Sequence, residues 1–133
     1  MWQWGGKNQH LIVKTITAKT HPETKKLFWL IFAGSRGSDT RIRIMSVLRK
    51  RPRNRNQLAT ELGIDYKNIQ HHIKVLEENN LVTKIGNAYG VTYCVSAFFE
   101  NNEIVFDEIV ARLRSINLHD LLHAKRKSNE ESI

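Results

Sequence analysis

The sequence predicts a mainly α-helical fold with one small β-hairpin, an α+β domain with flanking helices at both ends. Three observations predict it. Between residues 22 and 79, apolar residues recur at intervals of three and four in four separate runs, each bounded by residue types that start or stop helices. Two short β-rich runs then flank the loop 86–90 (Gly-Asn-Ala-Tyr-Gly). A longer helical repeat follows residue 101. A chain of 133 residues suits one domain, which at that length buries roughly two-thirds of its unfolded surface without a disulfide or metal.

Residues 1–22 read as an N-terminal arm, either a strand or a flexible segment. The run 11–17 is rich in β-branched residues, and Trp2 and Trp4 alternate with polar residues ahead of Gly5-Gly6. Thr20-His21-Pro22 marks a helix start, because a first-turn proline loses no hydrogen bond. That helix, about 22–33, carries Leu27, Phe28, Leu30 and Ile31, and the glycines at 34 and 37 break it. Ser38 or Asp39 suits the cap of the next helix, about 39–50, with Ile42, Met45 and Leu48 on one face and Ile44 and Val47 beside them. Pro52 stops it. Asn54 caps a short helix, 55–62, and Gln57 completes a capping box. Leu58, Ala59 and Leu62 face inward, and Gly63 fits a left-handed C-cap. Asp65 caps the helix 66–79, whose buried stripe is Ile69, Ile73 and Leu76. Strands at 81–85 and 91–95 enclose the hairpin loop. Asn101 or Asn102 caps a last helix, about 102–117, where Val105, Ile109, Leu113 and Ile116 recur beside Phe106 and Val110. Residues 119–125 extend or bend it, and the charged segment 125–133 reads as a disordered tail.

Charge is the informative excess: 21 Lys and Arg against 13 Asp and Glu give +8, which invites a polyanionic partner. Residues 1–35 carry five Lys and one Glu; residues 36–90 carry eleven basic and five acidic side chains; residues 91–133 carry five basic and seven acidic. The densest run is Arg49-Lys50-Arg51-Pro52-Arg53-Asn54-Arg55, and no acid lies between Asp39 and Glu61. A single cysteine, Cys94, excludes an intrachain disulfide and a Cys-rich zinc cluster, and a reduced, cytoplasmic setting is expected. No apolar run approaches the roughly 18 residues of a membrane span, and residues 1–14 lack the basic-then-apolar order of a signal peptide. No phosphate loop, nucleophile elbow or metalloprotease motif occurs, so no enzyme is expected.

Gln57-Leu-Ala-Thr-Glu-Leu-Gly-Ile-Asp65 joins two short helices through a glycine turn. Ile69-Gln-His-His-Ile-Lys-Val-Leu-Glu-Glu-Asn-Asn-Leu-Val82 runs from the second helix into the first strand, and Gly90-Val-Thr-Tyr-Cys-Val-Ser96 returns. Together these resemble the helix-turn-helix, recognition helix and wing of winged helix-turn-helix transcription regulators, most of all the small arsenic-repressor-like (ArsR-type) archaeal and bacterial ones. The resemblance covers about 39–96 and, more weakly, the helix after Phe99. It implies a sequence-specific, double-stranded DNA-binding regulator, a repressor acting as a homodimer, with a DNA-binding domain at 23–100 and a dimerisation helix at 101–124.

On that reading one helix enters the major groove, about 12 Å wide. With Ile69, Ile73 and Leu76 inward, Tyr66, Lys67, Asn68, Gln70, His71 and Lys74 face out. Asn68 and Gln70 suit adenine edges, Lys67 and Lys74 phosphate or guanine, and His72 the edge of the core. Arg53, Arg55 and Asn56 would position the DNA backbone, and Lys84, Asn87 and Tyr89 would touch it from the wing. Phe28, Val105, Phe106, Ile109, Val110, Leu113 and Ile116 would pair with a second copy. The cysteine pair with which such regulators bind metal on the motif's first helix is absent from 56–62. His119 and His123 have a two-ligand spacing only, so no metal or cofactor is expected. The alternative is a winged-helix protein-interaction or RNA-binding module without operator specificity.

Overall fold

The computed structural model describes residues 20–87 and 90–131. Residues 1–19 of the expected N-terminal arm, with its expected strand, and Tyr89 lie outside the described residues. The elements are α1 (Pro22–Phe32), α2 (Ser38–Leu48), α3 (Arg55–Leu62), α4 (Tyr66–Glu78), β1 (Val82–Ile85), β2 (Thr92–Val95), α5 (Ala97–Asn101) and α6 (Glu103–Glu131).

Local chemistry sets most boundaries. His21 caps α1, its Nδ1 accepting from the Glu23 N–H at 3.1 Å, with Pro22 in the first turn. The capping box of α3 is complete: Asn54 Oδ1 accepts from the Gln57 N–H, and Gln57 Oε1 from the Asn54 N–H, both at 2.8 Å. Gly63 closes α3 at φ +64°. Asp65 opens α4, one carboxylate oxygen accepting from the N–H groups of Lys67 and Asn68 at 3.0 and 3.3 Å. Helix α2 departs from expectation, since neither Ser38 nor Asp39 caps it. Gly37 holds the N-cap at φ +86° with no side-chain cap bond. The Ser38 hydroxyl turns back instead, donating to the Ser35 carbonyl at 2.6 Å. A side chain at Gly37 would also run into the His72 ring, so only glycine lets the α1–α2 loop lie on α4.

Strands β1 and β2 pair antiparallel, with Thr83 opposite Cys94 and Lys84 opposite Tyr93. Arg53 adds a rung: its N–H donates to the Tyr93 carbonyl at 3.1 Å, and its carbonyl accepts from the Tyr93 N–H at 2.8 Å. After β2 comes the unexpected helix α5. Ser96 caps it by accepting from the Phe99 N–H at 3.0 Å while donating to the Asn80 carbonyl at 2.6 Å. Helix α6 does not close near residue 117 but runs to Glu131, through the segment expected to be a disordered tail. Residues 103–131 hold neither glycine nor proline, so nothing in that run stops the helix.

The core joins every layer. Phe28 and Phe32 of α1 meet Phe99 of α5 and Phe106 of α6, with ring centroids 4.9 Å apart for Phe32–Phe106 and 5.9 Å for Phe28–Phe99. Each such ring contributes about 1.5–3 kcal/mol by burial. Below it, Ile44, Met45 and Leu48 of α2 are buried with Leu58 of α3 and the α4 stripe. This corrects the expected dimer surface: Phe28, Val105, Phe106 and Ile109 are at most 2% exposed within one chain. Val110 and Leu113 pack half-buried against the same core. A helical stripe records that a face is covered, not by which chain. Of the expected set only Ile116 stands out, at 52% exposure.

Candidate nucleic-acid interface

Helices α3 and α4 meet across the Gly63–Asp65 turn, and Arg43 of α2 braces it by donating to the Leu62 carbonyl at 2.9 Å. Burial of Ile69, His72, Ile73 and Leu76 fixes the rotation of α4 about its axis. Tyr66, Lys67, Asn68, Gln70, His71 and Lys74 are all exposed. Lys67, His71 and Lys74 lie opposite the buried stripe at 3.6 residues per turn, and Tyr66, Asn68 and Gln70 flank them. The face offers amide, imidazole and ammonium groups on a rigid helix, the donor and acceptor types that read base edges.

His72 is buried at 5% exposure. Its Nδ1 lies 3.3 Å from Arg41 Nη1; arginine has only donors, so this nitrogen accepts and carries no proton. Burial, the Arg41 charge and then His71 push the His72 pKa down. Arg41 itself, which sequence reasoning missed, is buried without a carboxylate. Its Nε donates to the Ile31 carbonyl at 2.8 Å, Nη1 to the Arg36 carbonyl at 3.3 Å, and Nη2 to the Ser35 hydroxyl.

The basic run 49–55 is not a free positive patch. Arg49 bonds Asp107 at 2.8 Å and pairs with Glu103 at 3.4 Å, and the Asp107 bond leads in raising its pKa. Arg53, expected on phosphate, is 6% exposed. Its Nε donates to Glu61 at 2.7 Å and its Nη1 to the Arg51 carbonyl at 2.7 Å, so it ties the sheet to α3 and presents no free charge. Arg51 also reaches Glu61, at 4.0 Å.

Arg55 differs. It stacks 5.5 Å from the Tyr93 ring centroid and donates through Nη2 to the Tyr93 hydroxyl at 2.6 Å. The Tyr66 hydroxyl, ahead of that of Tyr93, raises its pKa. With Asn56 exposed beside it, Arg55 borders a cleft of about 520 Å³ lined by Asn54, Tyr66, Lys84, Thr92 and Tyr93 among others. The structure thus brings Arg55, Asn56, Tyr66 and Lys84 together and leaves Arg53 out. Asn87 is exposed near the hairpin tip. Tyr93 is the site residue that sequence reading missed; its signal was the alternation Val91, Tyr93, Val95, which puts it on the inner face of β2. Cys94 is half-buried, and burial raises its pKa above the ordinary thiol value, with Glu100 adding to this. His119 and His123 stack at 6.4 Å on α6, and among the described residues no three His, Cys, Asp or Glu side chains cluster as a metal site. No helix of the described residues is long and apolar enough to cross a membrane.

Helix, helix, glycine turn, recognition-type helix and two-stranded ribbon define a winged helix-turn-helix domain. Residues 38–84, from α2 into β1, match the family described as bacterial regulatory protein, arsR family. Solved structures share the fold. The transcriptional regulator HlyU from Vibrio vulnificus is 19% identical and covers 68% of this chain and 88% of its own, at a TM-score of 0.51. Rv0081 of M. tuberculosis is 23% identical over 74% of this chain and 99% of its own, at 0.55. YusO from Bacillus subtilis is 13% identical over 94% and 96%, at 0.52. No curated protein matches the chain. The family match covers residues 38–84 and is to regulatory proteins; the solved structures share the fold.

Proposed function

We propose that this protein is a sequence-specific double-stranded DNA-binding transcription regulator, a homodimer that represses by occupying its site. The observation that carries the reading is the exposed polar face of α4, with Lys67, His71 and Lys74 opposite a buried stripe and Gln70 beside them. A helix so presented fits the major groove, with Lys67 and Lys74 on phosphate or guanine and Asn68 and Gln70 on adenine edges. Lys84 and Asn87 would approach from the wing. The homodimer reading rests on the far half of α6. There Leu118, Leu121 and Leu122 are 59%, 68% and 56% exposed, and their spacing of three and one puts them on one helix face. A second copy would cover that stripe and present two copies of α4 about one DNA turn apart.

Binding to random duplex across a salt series tests this, together with sequences selected from a random pool. Lys67→Ala should lower the salt slope by about one, whereas Asn68→Ala should relax sequence preference at one position by roughly 1–3 kcal/mol. If neither variant changes duplex affinity, or if single-stranded RNA binds better than any duplex, the reading fails.

A further inference from the structure

We infer that the cleft between the start of α3, Tyr66 and the hairpin seats one phosphate of the DNA backbone, with Arg55 as its binding cation and Tyr93 as the residue that positions Arg55. The inference rests on the DNA-binding reading and adds a site to it.

The half-buried and buried arginines show why Arg55 stands apart. Arg41 gives its donors to two carbonyls, a hydroxyl and the His72 ring. Arg53 and Arg49 meet carboxylates. Arg55 faces two phenols, Tyr66 and Tyr93, which order the guanidinium without neutralising it. Its Nε is buried with no hydrogen-bond partner among the described residues, whereas a bidentate oxyanion is the acceptor that a guanidinium fork fits. The Tyr93 oxygen accepts from Arg55, and Tyr93 is fully buried, so it holds the guanidinium in place and does not itself meet the anion. Lys84 brings a second cation, Asn54, Asn56 and Thr92 bring polar side chains, and none of the described lining residues is acidic. Lined by α3, α4 and both strands, the cleft opens where Tyr66 begins the exposed face of α4. A phosphate held there would tie the wing to the recognition helix and fix the register of α4 in the groove. That continuity with the α4 face favours a backbone phosphodiester over a free phosphorylated molecule.

The test uses the full chain and a duplex recovered by selection, with single phosphates replaced by neutral methylphosphonate. The expected result is one position per bound chain at which the replacement weakens wild-type binding roughly tenfold. Arg55→Gln should lose the same factor, become insensitive at that position only, and show a salt slope lower by about one. Tyr93→Phe keeps the ring under Arg55 but not the hydroxyl. It should lose part of the position-specific sensitivity while its melting temperature stays near wild type, a readout that a purely structural tyrosine would not move. Arg55→Lys should fall between wild type and Arg55→Gln. Unchanged methylphosphonate sensitivity in Arg55→Gln, with duplex still bound, overturns the inference. Saturable inorganic phosphate binding, seen at the Arg55 side chain by NMR and not competed by duplex, also overturns it, by assigning the cleft to a free anion. If wild type binds no duplex at all, the DNA-binding reading itself has failed.

Discussion

Acidification should weaken this fold through one side chain on α4. His72 is 5% exposed and its unprotonated Nδ1 faces the Arg41 guanidinium at 3.3 Å. The charged groups against it are Arg41 and, along α4, His71; no carboxylate compensates a proton on the ring among these neighbours. Its pKa is lowered by burial first and by Arg41 second. Between that lowered value and the ordinary value of about 6.5, the unfolded chain binds one proton more than the folded one. Stability is therefore fully present above about pH 6.5 and falls as pH drops below it, by up to about 1.4 kcal/mol per pH unit for this group. Below the folded pKa the loss levels off. Urea unfolding at steps between about pH 7.5 and about pH 5 measures it, compared with His72→Gln, whose amide oxygen can still accept from Arg41. The wild-type slope should exceed that of the variant within the window and match it above. Equal slopes, or a wild type that gains stability on acidification, would refute the reasoning.

Other outcomes follow from the same contacts. Gly37→Ala should cost about 1–3 kcal/mol in chemical unfolding, because it combines a left-handed φ with a clash against the His72 ring. Arg53→Gln should lower stability by about 1–3 kcal/mol, since it breaks the bond to Glu61, yet leave the salt slope of DNA binding unchanged. Phe106→Ala should cost about 3–5 kcal/mol in the folding of each chain. Leu121→Glu should leave thermal melting of the domain nearly unchanged and shift sedimentation at micromolar concentration towards monomer.

What the sequence disclosed was local, and what it concealed was long-range. The Asn54–Gln57 box, the Gly63 turn and the Asp65 cap each close within five residues, so the residue types alone identify them. The stripe of α4 was equally legible, because Ile69, Ile73 and Leu76 lock its rotation whatever they pack against. The rung between Arg53 and Tyr93 spans forty residues, and a single residue between Pro52 and Asn54 has no periodicity to read. Helix α5 was hidden because its cap, Ser96, lies immediately after a strand, and its five residues are too few for a helical repeat. The stripe of α6 was seen but given to the wrong partner: Val105, Phe106 and Ile109 fill the groove beside α1, and apolar spacing does not distinguish a core from an interface.

The basic run shows the same limit most sharply, and it decides where the charge acts. Along the chain, Arg49 to Arg55 lie in an acid-free stretch between Asp39 and Glu61. In space, Asp107 and Glu103 come to Arg49 from α6, and Glu61 reaches Arg51 and Arg53 from the far end of α3. A cation already paired releases few counterions from DNA, because moving to phosphate means abandoning an existing partner. The expected electrostatic footprint therefore shifts away from Arg49 and Arg53 towards Arg55, and onward to Lys67, Lys74 and Lys84 on α4 and β1. Neutralising Arg49 should then act on the docking of α6 through Asp107, and neutralising Arg55 on the salt slope. A slope that fell equally for both would mean that the ion pairs open on binding and that the whole run, not the cleft, meets the backbone.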